Sequence, residues 1–449
     1  MRGTFRFWAT TFLLSAAVLL GGGGSPSVGF ELALQLVFAA SLAVLAIAWA
    51  ARPALFQGAP PVSAWLIACL ILAVPLLQLM PLPPSVWQAL PGRGMEIASL
   101  KLAASDAMWM PLSLTPDRTL AGLLALVPPV VLLLLASSLA VPQRRGLLLV
   151  VLALGAASIL LGAAQLSAGA GTAFRLFDYT HEGYLVGFQA SRNIQVDFLL
   201  LVLLCVPALA AFAPGTVSPA LRMALVPGVL LLVLAAVFFT GSRAGIAITP
   251  IALGLTAFSL RHQFNRLPIA RLAGAGAAVV ALAAGVLLLG NGANTKVLER
   301  FALTEDGRQD LWIDTTYAIG QHWPVGSGMG SFIPVFHAAE RLETLDPSLP
   351  VRAHNDWLEF TLEAGLPGIA VLVAIGLLLG RALYLTSPYR RAKEGSGDPL
   401  TWYFAVGALT VLALHSIVDY PLRSMSMACL AAVAAALALP GPRRNPTEA

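Results

Sequence analysis

Charge is what this chain has least of. Asp, Glu, Lys and Arg together make up 11% of its 449 residues, against about 25% in ordinary soluble domains. That scarcity, with 58% hydrophobic residues and a mean hydropathy of +0.82, excludes a soluble globular protein and indicates a polytopic membrane protein. Cysteine is nearly absent. Cys69, Cys205 and Cys429 stand singly inside apolar runs, so neither a disulfide framework nor a zinc-ligand spacing exists, and all three read as small buried hydrophobes. Histidine occurs six times without an HExxH or similar pair, which removes the usual sequence argument for a metal. Long polar intervals are rare too, and the one exception is residues 299–366.

Twelve apolar runs come near the ~20 residues that cross a hydrocarbon core. They are 5–21, 28–50, 62–80, 119–140, 146–168, 194–213, 221–240, 244–260, 271–290, 366–384, 400–418 and 424–440. Only structures that satisfy their own backbone survive in lipid, and runs rich in Leu, Ala and Gly do so as helices. The first run follows Arg2 and Arg6 as a signal peptide would. Gly21 to Gly24 offer no A-x-A type cleavage site and more spans follow, so it counts as span one. The expectation is a single membrane domain over 1–449, all-α, with about 12 transmembrane helices.

Orientation follows from the connections. With a cytoplasmic N-terminus, 15 of the 27 basic residues fall on the inner side, opposed there only by Glu394, Asp398 and Glu448. Both termini are then cytoplasmic, and the long polar interval is outside. The net charge of +5 reports this topology rather than an affinity for nucleic acid; membrane lipids are the implied partner. Residues 291–365 form a large, partly helical outer loop subdomain between helices 9 and 10. A second outer connection, 81–118, reads as a Pro-rich turn and a surface-lying helix with Trp87 and Trp109 at headgroup level.

Charges beside lipid are costly and mark function by default. In TGSRAG, Arg243 stands between two apolar runs at a helix start, where free amides and the positive helix end favour a phosphate. Arg192 heads another span in the same way, with Asp197 one turn further in. The plainer alternative is that each arginine snorkels to the interface or pairs with a carboxylate, Asp197 being the obvious partner. Arg308 opens a helical segment in which Leu311, Trp312, Thr315, Ile319 and Trp323 recur at helical spacing; its alternative is a solvated charge beside Asp306 and Asp310. The GSGMGSF that follows lacks the preceding strand of a dinucleotide fingerprint and reads as a tight turn.

His354, in VRAHNDWLEFTLEAGLPG, stands at a helix start. A neutral imidazole accepts a proton near physiological pH, and Asn355 and Asp356 beside it suit a cap and an orienter. A histidine at a helix start is also a common polar surface group. In LALHSIVDYPLR, His415 and Asp419 lie four apart at the outer end of a span and share one face, which suits them to stabilising a neighbouring arginine.

The ordered set TGSRAG, GRQDLW with PVGSGMGSF, AHNDWLEFTLEAGLPG and HSIVDYPLR, over about residues 190–425, resembles the O-antigen ligase and O-antigen polymerase superfamily of bacterial envelope glycosyltransferases. The resemblance implies a GT-C-like fold in the inner membrane with a periplasmic active site. It also implies transfer of a glycan from undecaprenyl diphosphate to an acceptor hydroxyl, with no cofactor and no metal. In these terms His354 is the catalytic residue, Arg243 and Arg308 with Arg192 hold the diphosphate, and Asp419, Asp356, Asn355 and His415 support them. The leaving group is already good, so charge neutralisation and orientation are what remain for the protein, and in-line attack would invert the anomeric carbon. A ligase takes the lipid A core as acceptor, a polymerase another lipid-linked repeat, and a related branch a protein hydroxyl; ligase-type transfer is favoured. The rival from another class is a secondary transporter. Those are built from two repeated halves, whereas here the mid-chain link is short and the dominant loop is external.

Overall fold

The computed structural model describes residues 2–23, 28–53, 58–168, 174–211, 219–264, 299, 307–345, 349–391 and 398–442. Backbone that cannot bond to lipid must bond to itself, and the apolar runs do so as helices. In chain order these are α1 (Arg2–Leu20), α2 (Val28–Ala51), α3 (Val62–Gln78), α4 (Gly94–Leu102), α5 (Pro116–Ala125), α6 (Val127–Ser137), α7 (Val141–Ser167) and α8 (Arg192–Ala211). They continue as α9 (Pro219–Phe239), α10 (Arg243–Phe264), α11 (Arg308–His322), α12 (Phe332–Ala339), α13 (Asp356–Thr386), α14 (Pro399–His415) and α15 (Met425–Ala438). Helix covers eleven of the twelve expected runs; the other, 271–290, lies outside the described residues. Among the described residues, six stretches are long and apolar enough to cross a membrane, by length and composition.

The bundle is built round α8. A helix that is apolar on all sides belongs in a protein interior, and every residue of α8 from Asn193 to Ala208 is buried. Its large side chains sit over glycines of its neighbours. A Cβ at Gly245 of α10 would come 2.2 Å from Val196, one at Gly155 of α7 2.4 Å from Val202, and one at Gly407 of α14 2.6 Å from Leu204. Small residues at such crossings let membrane helices approach closely enough for dispersion to hold them. α15, half of it Ala, packs against α6, α14 and α1 in the same way. At the far end, Arg144 is buried and donates to the carbonyls of Ser137, Leu139 and Leu439. It thereby satisfies helix-end carbonyls of α6 and α15 rather than standing in solvent.

The opposite end carries a cap with a small core of its own: Ala318, Phe332, Val335, Phe336, Ala353 and Leu362. α13 joins cap to bundle. Its two halves meet at Gly365, which adopts φ 58, ψ −156, so the expected end at Gly365 and Pro367 is a kink within one long helix. Only glycine fits there, since a Cβ would lie 2.4 Å from the Pro324 carbonyl. The glycine-rich stretch after α11 is a tight turn as expected, and it wraps this kink. Ser327 and Gly328 donate their amides to the carbonyls of Leu362 and Glu363, and Gly330 donates to Glu363 Oε1, each at 2.9 Å. The 81–118 connection forms a two-stranded ribbon, β1 (Pro81–Leu82) against β2 (Met110–Pro111), with α4 between the strands. Trp109 is exposed as expected, but Trp87 is fully buried and donates Nε1–H to the Met108 carbonyl at 2.9 Å, so it pins the ribbon rather than meeting headgroups.

Candidate active site

Five helix ends meet beneath the cap: the starts of α8, α10, α13 and α15 and the close of α14. The short link from α14 to α15, residues 416–424, is their common floor. Its Ser416 and Asp419 carbonyls both accept from the Asp356 amide, at 2.9 and 3.1 Å, and so fix the first residue of α13. Asn355 is the N-cap, its Oδ1 accepting from Leu358 N at 3.0 Å.

This frame holds His354. Its backbone is left-handed (φ 48), a conformation that non-glycine residues adopt at a cost and that gathers at functional positions. Its Nδ1 lies 3.0 Å from Asp419 Oδ1, and its ring meets Tyr420 edge-on with centroids 4.9 Å apart. Asp419 is buried while the His354 side chain is 35% exposed. A carboxylate that accepts from Nδ1–H leaves the lone pair of a neutral imidazole on Nε2. Burial works to raise the Asp419 carboxyl, yet the His354 hydrogen bond and the charges of His354, His415 and Arg308 outweigh it and hold the group below its usual value. Burial, with the Asp419 charge next in weight, pushes the Tyr420 hydroxyl up to about 12.

Arg308 begins α11 and donates Nη1–H to the carbonyl of Val418, next to Asp419. Its charge favours the Asp419 carboxylate and disfavours a charged His415. Arg243 heads α10 after the turn at Thr240–Gly241–Ser242, and two residues on, Gly245 packs against Val196 of α8. Arg192 heads α8, with its guanidinium 4.6 Å above the Tyr184 ring. Arg192 and Arg243 thus share the end of the bundle that carries His354.

Two partnerships differ from the sequence reading. Asp356 does not orient His354. It accepts from Ser416 Oγ and Leu422 N, each at 3.1 Å, and faces Arg423, because α13 turns its side chain inward beneath the link while Asp419 takes the imidazole. Asp197 pairs with His415, Nδ1 to Oδ1 at 2.6 Å, and not with Arg192.

A charge network beneath the site went unnoticed in the sequence. Arg423 reaches Glu363 at 2.8 Å, Asp356 at 3.4 Å and Glu359 at 3.5 Å, and Arg352 reaches Glu359 at 2.9 Å. Burial works to discharge Arg423, but Glu359, Glu363 and Asp356 more than restore its charge and raise it above the usual value. The signal was present: Asp356, Glu359 and Glu363 repeat at three and four residues and share a helix face, in a protein poor in acids.

Fold and site together define a polytopic helical membrane protein with a histidine–carboxylate pair and arginines gathered at one end of its bundle. Residues 228–373 match the family model described as O-antigen ligase, a stretch that contains Arg243, Arg308 and His354. That match covers about a third of the chain and supports its likeness to the O-antigen ligase and polymerase superfamily over that stretch. No curated protein matches the chain.

Proposed function

We propose that the protein transfers a glycan from undecaprenyl diphosphate to an acceptor hydroxyl at the periplasmic face of the bacterial inner membrane, in the manner of an O-antigen ligase with the lipid A core as acceptor. The observation that carries this reading is the His354–Asp419 pair, 3.0 Å apart, on a link that Arg308 also grips. A base and a cation are the two groups such a transfer asks for. His354 Nε2 takes the proton of the acceptor hydroxyl as its oxygen attacks the anomeric carbon. The bond from that carbon to the diphosphate oxygen breaks, and the electron pair leaves with the diphosphate. Arg243 and Arg308, with Arg192, receive the developing negative charge. Nδ1–H stays on His354, and Asp419 balances the imidazolium. Attack opposite the leaving group inverts the anomeric carbon.

The test is transfer of radiolabelled glycan from lipid diphosphate by the purified protein in nanodiscs, with lipid A core, a second lipid-linked repeat and a hydroxyl-bearing peptide offered in turn. The reading expects labelled lipid A core from the wild type and a loss of about 10²–10⁴-fold in His354→Ala. Labelling of the repeat or the peptide in place of lipid A core would reassign the acceptor. An unimpaired H354A would remove the site.

A further inference from the structure

Tyr420 follows Asp419 on the link between α14 and α15, and the transfer step above gives it no part. The backbone on both sides of it is fastened to the first residue of α13. The Asp419 carbonyl accepts from the Asp356 amide, and Leu422 N donates to Asp356 Oδ2, each at 3.1 Å. The Tyr420 ring is thereby held edge-on to the imidazole of His354, with centroids 4.9 Å apart, which keeps its hydroxyl within the breadth of one sugar of the base. The simpler account makes this ring a buttress for His354, a task phenylalanine would do as well. A buttress leaves the hydroxyl unexplained. Buried phenols usually find a partner, as Tyr403 does in Tyr389 at 3.2 Å. Tyr420 is half-buried, and its hydroxyl has no hydrogen bond to any other described residue, yet it is not sealed from the surface.

Its neighbours indicate what that hydroxyl would meet. Arg308 donates to the carbonyl of Val418, two residues back along the link, so the phenol shares the floor of the site with a guanidinium and an imidazole. We propose that Tyr420 is a further catalytic residue, its O–H donating a hydrogen bond to the diphosphate oxygen that leaves the anomeric carbon. This rests on the glycan-transfer reading of the site. As the bond from carbon to that oxygen breaks, the electron pair goes to the oxygen and the hydrogen bond to it strengthens. The proton stays on Tyr420, while the acceptor's proton goes to His354. A phenol that loses its proton only near 12 offers a neutral O–H throughout the working range. The arginines supply charge to the diphosphate as a whole, and the phenol supplies a directed donor at the atom whose charge changes most.

The experiment compares wild type, Tyr420→Phe and Tyr420→Leu, each full-length in nanodiscs. Initial rates of radiolabelled glycan transfer are followed with donor and acceptor varied in turn, and thermal unfolding is measured on the same preparations. Y420F keeps the ring against His354 and deletes only a group that no described residue binds, so it should melt with the wild type. Its kcat should nevertheless fall about 10–100-fold, the worth of one hydrogen bond to a charged group. The KM for donor and acceptor should hardly change, as for an interaction made only in the transition state. Y420L should lose more, because the ring goes too; should it fail to fold, Y420F carries the prediction alone. Y420F turning over at the wild-type rate would reduce Tyr420 to a buttress and overturn the proposal. An intact kcat with a raised acceptor KM would put the hydroxyl on the acceptor and overturn it equally. H354A serves as the control. An active H354A would sink the underlying reading, whereas an inactive H354A beside a fully active Y420F would sink the role of Tyr420 alone.

Discussion

His354 and Asp419 are 65 residues apart in sequence and 3.0 Å apart in space. The contact exists because α13 starts where α14 ends. The Asp356 amide is fastened to the 416–419 turn, which brings the residue two before it over the carboxylate two before Pro421. The geometry is that of a base oriented from behind, the arrangement through which histidines serve as proton acceptors in hydroxyl chemistry.

Asp419→Asn should leave the fold in place and reduce transfer, since the amide can present its NH₂ to Nδ1 and favour the wrong tautomer. The pair also has a signature in acid. Because the folded state holds the Asp419 carboxyl below its usual value, its stabilising contribution is complete above the ordinary aspartate range and is lost as pH falls through the depressed value. Near-ultraviolet circular dichroism should show wild type more stable than D419N at neutral pH, with the gap closing as acid is added.

Arg423 holds three carboxylates, and removing one partner of a buried charge network strands the others. Arg423→Met should therefore destabilise the protein by about 3–5 kcal/mol. Thermal unfolding in detergent reads this directly. A melting point equal to wild type would show that the acids are reached by water.

The close crossings on α8 give a prediction far from any chemistry. Gly245→Val places branched carbon where a Cβ alone would already lie 2.2 Å from Val196, and overpacking of this order costs about 1–3 kcal/mol. Gly254, on the same helix with nothing within 4 Å of its would-be Cβ, should accept Ala without loss. Paired melting curves separate the two.

His322 closes α11 against the ribbon, and a Cβ on Gly92 would fall 2.1 Å from its Nδ1. Burial, then the charge of Arg93, lowers its proton affinity in the folded protein. The unfolded state therefore binds protons first, so stability is full above the ordinary histidine range near 6.5 and falls as pH drops below it. Protease cleavage within 81–115 should quicken between about pH 7.5 and 5.5, and His322→Gln should flatten that dependence.

How much of this was legible in the sequence differs by element. The helices were readable because lipid permits little else, and runs such as LLLVLLCVPALAA carry no competing signal. Their ends were less so. The run 119–140 is divided into α5 and α6, and 400–418 stops at His415, because those ends are set by packing rather than hydropathy. Of the site, His354, Arg308 and Asp419 stood out as polar groups at apolar borders and are brought together. Which acid serves which base was beyond reach. Asp356 is adjacent to His354 in sequence and Asp197 is one turn from Arg192, yet the partners actually taken come from 65 and 218 residues away. Local spacing reports helix faces, and those two pairings are made between helices.

The most direct measurement of the central claim is a structure of the protein in nanodiscs with an uncleavable lipid diphosphate glycan. The diphosphate should lie against Arg243 and Arg308, with the first sugar's anomeric carbon turned towards the acceptor space in front of His354 Nε2. A diphosphate seated at the Arg144 end of the bundle, or held beneath the cap by groups that leave His354 facing away from the sugar, would contradict it.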